Sequence, residues 1–220
     1  MLALAILGCE KAPIAWTDPI TIAQSAGATR LVVDSNGQAK FTTDSLHDPD
    51  ATTPQSNGLC RTSLVHAAGI TRLFAAWWSV RRDSSAILYA AASPDAGKTW
   101  AAPIVVDTSD VSSFGCTRPA PSVTTVGDDV YVAYSMIAPE GKGVFFAHTM
   151  GMMLHSPVPV IYGERLVSTA IAADGDRVLV GYEEPNGTRP QIDLAYSVTQ
   201  GHIFEVHTVA SRSVDDGALP

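Results

Sequence analysis

Three arginines stand where their side chains could bind an anion together. Arg61, Arg118 and Arg165 each precede an apolar, β-rich stretch; Arg61 and Arg118 are equivalent when the stretches are aligned, and Arg165 is within one residue of them. A guanidinium binds a carboxylate through two parallel hydrogen bonds, so such a set could hold an anionic ligand. The alternative is that each arginine pairs with an Asp or Glu of a neighbouring loop.

Carboxylates and histidines give weaker signals. Asp44, Asp48 and Asp50 follow the first hairpin-like stretch, and two glutamates follow Tyr182, but no spacing identifies an acid and a base. The histidines show no H-x-x-x-H pattern and no C-x-x-C accompanies them, so we expect no metal site and no cofactor. They are His47, His66, His148, His155, His202 and His207.

The N-terminal residues suggest an exported protein, in which an odd number of cysteines, three, needs an explanation. Residues 1–9 form a short apolar run ending in Ile6-Leu-Gly-Cys9, which resembles a bacterial lipobox, so we expect a signal segment with lipid on Cys9 and a linker over 10–15. An ordinary hydrophobic start with a buried cysteine is the alternative. Export would place Cys60 and Cys116 where a disulfide persists, against the alternative of two free buried thiols.

Composition excludes some classes of partner. The 220 residues are 46% hydrophobic and 16% charged, and 22 acidic against 14 basic residues give a net charge of −8. A general nucleic-acid or anionic-membrane binder needs a basic face, so neither is expected.

A repeat predicts how these residues are positioned. Trp77, Tyr134 and Tyr182 close similar apolar runs, spaced 57 and 48 residues apart, and each run follows a glycine-containing turn. Four short strands fit each repeat, which is typical of β-propeller blades, and no stretch has helical periodicity. We therefore predict an all-β fold over 16–220, with strands near 62–67, 71–79, 85–92 and 103–107 in the clearest blade and blades at roughly 16–59, 60–115, 116–163 and 164–212.

One motif resembles a known family. Ser93-Pro-Asp95-Ala-Gly97-Lys-Thr99-Trp100 matches the Asp-box, S-x-D-x-G-x-T-W, of sialidase-like (BNR-repeat) propellers. A degenerate copy spans 197–204, and His148 begins the segment where the middle blade has lost its copy. The resemblance implies a structural turn on the outer rim, in which the Asp and Ser side chains bind backbone donors, the glycine takes a left-handed conformation and the tryptophan packs between neighbouring blades.

The resemblance also frames two functions. Sialidases bind the substrate carboxylate with three arginines, as Arg61, Arg118 and Arg165 would here, and use a Tyr–Glu pair and an aspartate for catalysis; the family's Arg-Ile-Pro motif is absent. The first hypothesis is a lipid-anchored envelope protein, periplasmic or extracellular, that binds an anionic glycan or a protein partner as a scaffold. The second is an exo-sialidase or related glycosidase whose other catalytic residues lie outside this chain.

The blade count separates these hypotheses. The family has about six blades, whereas this sequence holds about three complete ones and parts of others. We expect either a truncated sequence or an open sheet whose edges are covered by a partner, because exposed strand edges invite aggregation.

Overall fold

The structure is a computed structural model that describes residues 29–33, 39–43, 54, 56–151, 153–186 and 191–211, with the backbone alone at 29–33, 39–43 and 208–211. Backbone contacts divide the chain into units 1–47 and 48–220. In the first unit, β1 (Thr29–Val33) and β2 (Ala39–Thr43) pair antiparallel.

The described residues of the second unit form three antiparallel sheets, in which consecutive strands pair except that the last strand of the second sheet pairs with the strand two before it. Blade A follows a short 3-10 helix, η1 (Arg61–Ser63), and contains β3 (Val65–Ala68), β4 (Leu73–Val80), β5 (Ala86–Ser93) and β6 (Ile104–Asp107). Blade B contains β7 (Ser122–Val126), β8 (Asp129–Ala138), β9 (Gly141–Met150), β10 (Met153–Leu154) and β11 (Val158–Tyr162). Blade C contains β12 (Thr169–Asp174), β13 (Arg177–Glu183), β14 (Gln191–Ser197) and β15 (Glu205–Ser211).

The innermost strands of the three blades lie side by side. β7 lies between β3 and β12. Thr125 Oγ1 of β7 donates to the carbonyl of Ala68 at the end of β3, at 2.6 Å, and the hydroxyls of Ser122 and Thr169 are 3.0 Å apart between β7 and β12. Sheets that meet through their first strands in this way are successive propeller blades, so the predicted all-β, propeller-type architecture is confirmed.

The apolar core lies between the blades. One cluster packs Trp78 of blade A against Tyr134 and Phe145 of blade B, and a second packs Phe146 of blade B against Val180 of blade C. Because β4 and β8 are covered on both faces, they read as nearly continuous apolar runs. β13 instead alternates buried and less buried positions, as a strand covered mainly on one face does.

Blade B ends in a divided outer strand. β10 and β11 both pair with β9, at its end and at its beginning respectively. Pro157 and Pro159 cannot donate a backbone hydrogen bond, which restricts this segment to an edge, and the register shifts between Pro159 and Ile161.

The start of blade A differs slightly from the sequence prediction. A strand was expected from residue 62, but residues 61–63 form η1. Ser63 Oγ donates to the carbonyl of Cys60 at 2.7 Å and accepts the N–H of Trp78 at 2.9 Å. This side chain holds the chain in a turn, which delays the strand to Val65.

The turns of blades A and B are tied at one end. The carboxylate of Asp128 accepts the N–H of Thr71 at 2.9 Å and its hydroxyl at 2.5 Å, and Ile70 N–H donates to the carbonyl of Gly127 at 3.1 Å. The two hydrogen bonds from Thr71 hold the pKa of Asp128 below its ordinary value.

Within the described part of the chain, no helix is long and apolar enough to cross a membrane.

Candidate functional site

The Asp-box closes the turn between β5 and β6. Ser93 Oγ accepts the N–H of Gly97 at 2.7 Å, and the Asp95 carboxylate accepts the N–H of Thr99 at 2.7 Å and its hydroxyl at 2.6 Å. These hydrogen bonds lower the pKa of Asp95, so it is a charged acceptor for the turn at neutral pH. Ala96 and Gly97 take positive φ values of 57° and 91°. The side chains of the motif therefore stabilise the turn by binding its own backbone.

The degenerate copy in blade C has the same geometry. Ser197 Oγ accepts the N–H of Gly201 at 3.0 Å, and Thr199 Oγ1 accepts the N–H of Ile203 at 3.2 Å, where the first box uses its aspartate. Gln200 and Gly201 have φ values of 56° and 90°, close to those at 96 and 97. A threonine hydroxyl thus replaces the aspartate without changing the turn.

The aromatic residues that end the two boxes pack differently. Trp100 lies 5.8 Å from the ring of His66 and against the cluster of Trp77, all within its own blade. Phe204 lies 5.3 Å from Phe146 of the neighbouring blade B. The packing between blades expected of the tryptophan is thus seen at Phe204.

Cys60 and Cys116 are joined by a disulfide with a Cα–Cα distance of 5.4 Å. We call the segment that precedes the first strand of a blade its lead-in. The bond connects the lead-in of blade A, before β3, to that of blade B, before β7. Trp78 Nε1 donates to the carbonyl of Pro119 at 3.0 Å across the same junction. The two lead-in segments are therefore fixed to one another beside the innermost strands.

Arg118 is buried and neutralised within this junction. Its Nη1 lies 2.9 Å from Asp110 Oδ2, and the two side chains are 0% and 1% exposed. The guanidinium also donates to the Gly115 carbonyl at 2.7 Å and Ser112 Oγ at 3.1 Å, and lies 5.1 Å from the Trp78 ring centroid. A guanidinium enclosed in this way is not accessible to a ligand. Arg118 therefore pairs with a nearby acidic residue, which was the alternative to ligand binding that the sequence left open.

The other two arginines lie at the surface. Arg61 is exposed in η1. Arg165 is exposed, and its Nη2 donates to the carbonyl of Glu184 at 2.8 Å. Of the three arginines, Arg165 alone lines the pocket described next, so the structure does not bring the set together there.

A pocket of about 350 Å³ opens between the lead-ins of blades B and C. Its cations are Lys142, at the start of β9, and Arg165. Lys142 Nζ donates to the carbonyl of Glu164 at 2.9 Å, and Phe114, 45% exposed, supplies an aromatic surface. The lining residues are Phe114, Thr117, Pro119, Lys142, Glu164, Arg165 and Leu166.

Tyr182 and Glu184, which were considered for a catalytic tyrosine–glutamate pair, have structural roles. Tyr182 is 2% exposed in the core between blades B and C, and burial, followed by the charges of Asp193 and Glu184, raises its pKa to about 12. The Glu184 carboxylate accepts the N–H of Asn186 at 2.9 Å and 3.0 Å, which shapes the loop after β13. Neither side chain lines the pocket.

Sequence spacing missed one cluster. His148, His155 and His202, whose spacing predicted no metal site, each place one ring nitrogen within 4.8 Å of the others. Burial and the two neighbouring imidazoles lower the pKa of His148 to about 4. The signal available in the sequence was that all three lie in the segments where blades B and C depart from the Asp-box.

Several predicted features lie outside the described residues. These are the lipobox with Cys9, the linker over 10–15, and the acidic residues Asp44, Asp48 and Asp50.

Comparisons with known proteins identify no family. No family model matches the chain, and no curated protein sequence matches it. Among solved structures, it is similar to a xylan β-1,4-xylosidase from Bacillus halodurans C-125, at 13% identity and a TM-score of 0.45 over 78% of this chain and 35% of that one. It is also similar to the Bombyx mori GH32 β-fructofuranosidase BmSUC1, at 12% identity and a TM-score of 0.44 over 69% of this chain and 35% of that one.

The chain thus spans about a third of the length of these two proteins. At such low identity and TM-score the similarity says nothing of substrate or activity. The class of protein is defined by the blades themselves, through their strand order and the contacts between innermost strands: it is an all-β, propeller-type protein.

Proposed function

We propose that this chain is a lipid-anchored envelope protein whose blades bind an anionic saccharide in the pocket between blades B and C. The observation that carries the proposal is that two cationic residues, Lys142 and Arg165, line the same pocket of an otherwise acidic protein. A volume of about 350 Å³ falls in the range of small-ligand sites.

The chemistry of the lining suits a sugar acid. Arg165 has five N–H donors and uses one of them on the Glu184 carbonyl, which leaves donors for a ligand carboxylate. Lys142 adds a second positive charge, and the exposed ring of Phe114 offers an apolar surface to the C–H face of a pyranose. Glu164 can accept hydrogen bonds from sugar hydroxyl groups.

Calorimetric titration tests this proposal with 3′-sialyllactose and neutral lactose as the two ligands. Sialyllactose should bind and lactose should not, because only the former carries a carboxylate. Arg165→Gln should weaken binding about tenfold or more, since it removes a charged donor. Arg61→Gln is the matched control, because Arg61 is an exposed arginine outside the pocket.

Two results would contradict the proposal: equal binding of lactose and sialyllactose, or equal loss of affinity in the Arg61 and Arg165 variants. If no saccharide binds and the protein instead co-purifies from the envelope with a protein partner, the scaffold role replaces the glycan role.

Lipid anchoring has its own experiment. Labelled palmitate should enter the full chain in the native host and should not enter the Cys9→Ala variant. Equal labelling of both proteins, or of neither, would remove the anchor from the proposal.

A glycosidase of the sialidase type is the second candidate, because the acidic residue Glu164 lines the same pocket. Glycoside hydrolysis generally needs two carboxyl groups, and Glu164 is the one that the described pocket supplies. Under the binding proposal, a fluorogenic sialoside is not hydrolysed. Turnover that disappears in Glu164→Gln, with sialyllactose binding retained, would favour the enzyme instead.

A further inference from the structure

Three imidazoles meet where blade B contacts blade C. The ring centroids of His148 and His155 are 4.8 Å apart, and His202 lies 5.3 Å from the first ring and 5.7 Å from the second. One nitrogen from each ring falls within 4.8 Å of the others. Two of the residues come from blade B, and the third comes from the turn between β14 and β15 of blade C.

His148 has one buried ring nitrogen without a hydrogen-bond partner among the described residues. The residue is 3% exposed, and within the described part of the chain its Nε2 has no hydrogen-bond partner. Buried polar atoms without a hydrogen bond are rare in native proteins, and a bound ion is one of the groups that can supply the missing contact.

The backbone holds the three rings together. The N–H of His155 donates to the carbonyl of His148 at 2.9 Å, so these two residues are fixed across the β9–β10 hairpin. Gly201 is packed so closely on the ring of Phe146 that an added Cβ would lie 2.1 Å from it. This contact presses the turn of blade C onto blade B and brings His202, the next residue, to the other two rings.

We propose that His148, His155 and His202 form a binding site for a borderline divalent transition-metal ion, with Zn²⁺ as its natural probe, that joins blade B to blade C. Imidazole nitrogens are preferred ligands of such ions, and three of them with one position left for water is a familiar zinc arrangement.

The geometry requires only small movements. Tetrahedral bonds of 2.0–2.1 Å place ligand nitrogens about 3.3 Å apart, closer than the 4.8 Å limit that encloses them here. His155 is half-buried and His202 is exposed, so both rings can turn toward the fixed ring of His148. A site that draws residues from two blades should stabilise the contact between them.

Titration of the metal-free protein with ZnCl₂, followed by calorimetry and by thermal unfolding, tests the site. We expect one Zn²⁺ per chain and a higher unfolding temperature, because an ion that binds only the folded state stabilises it. His155→Gln and His202→Gln should each weaken binding at least about 100-fold, since loss of a supporting group alone costs 10–100-fold. Both side chains lie outside the core, so the metal-free variants should fold.

His207→Gln is the matched control, because His207 is an exposed histidine outside the cluster and should leave the affinity unchanged. Mg²⁺ should have no effect, since it prefers oxygen ligands. Substituting Co²⁺ should produce the visible absorption of a tetrahedral site in the native protein and lose it in the His202 variant. No Zn²⁺ binding, or equal affinity in the His155, His202 and His207 variants, would overturn the proposal.

Discussion

Substitution of Arg118 distinguishes most clearly between an arginine that binds a ligand and one that stabilises the fold. Its guanidinium is 2.9 Å from Asp110, both side chains are at most 1% exposed, and it donates to Gly115 and Ser112 as well. Asp110 in turn accepts the N–H of Ala86 at 2.8 Å. The Ser112 hydroxyl also donates to Asp110, at 3.1 Å. Removing Arg118 therefore leaves a buried carboxylate with these two neutral donors and no opposing charge.

The expected cost follows from this geometry. Breaking a buried ion pair on one side costs about 3–5 kcal/mol, and the hydrogen bonds that remain on Asp110 favour the lower end, about 3 kcal/mol. In a domain of this size that corresponds to a fall of about 6–12 °C in unfolding temperature. The double variant Arg118→Met with Asp110→Asn should recover about 2 kcal/mol of it, because the charge is gone and the asparagine oxygen still accepts from Ala86.

Urea unfolding at pH 7, with the disulfide intact, measures the four proteins of this double-mutant cycle. Arg165→Met is the control, since replacing an exposed arginine changes the free energy of unfolding by about 0.5 kcal/mol or less. If Arg118→Met costs no more than this control, the buried pair does not stabilise the junction. If Arg118→Met abolishes sialyllactose binding while the protein stays stable, Arg118 is a ligand-binding residue and not a structural one.

Two further predictions concern contacts between blades. Gly201→Ala should lower the free energy of unfolding by about 1–3 kcal/mol because its Cβ meets Phe146, whereas Gly175→Ala, with a positive φ but nothing within 4 Å, should cost less in the same urea titration. The lowered pKa of Asp128 means that its stabilising effect is complete above pH 3.8 and is lost as pH falls through the lower folded value. Unfolding free energies between pH 5 and pH 2 should therefore fall more steeply in the native protein than in Asp128→Asn, and equal slopes would contradict this.

The sequence predicted the individual blades because the interactions that form each blade join residues close together in sequence. Glycine turns and alternating apolar runs define the meanders, and the serine, glycine and aromatic positions of the Asp-box define a turn through hydrogen bonds within eight residues. The same logic explains why the copy at 197–204 could be recognised: Ser197 and Gly201 keep their roles, and Thr199 accepts the hydrogen bond that an aspartate would.

Contacts between blades could not be predicted from such local patterns. The position of Arg118 in the repeat matched that of Arg61 and lay within one residue of that of Arg165. The burial of Arg118, however, depends on Asp110 and on the fold of the segment before β7, which spacing in the sequence does not encode. Likewise His202 is 47 residues from His155 in sequence and meets it only because blade C packs on blade B.

Mapping of backbone amide shifts by NMR during titration with 3′-sialyllactose tests most directly whether the pocket between blades B and C binds an anionic saccharide. We expect shifts confined to residues 114–118, 142 and 164–166, which weaken as salt is added because the contact is charged. Shifts centred on another face of the blades, or no shifts at all, would contradict it.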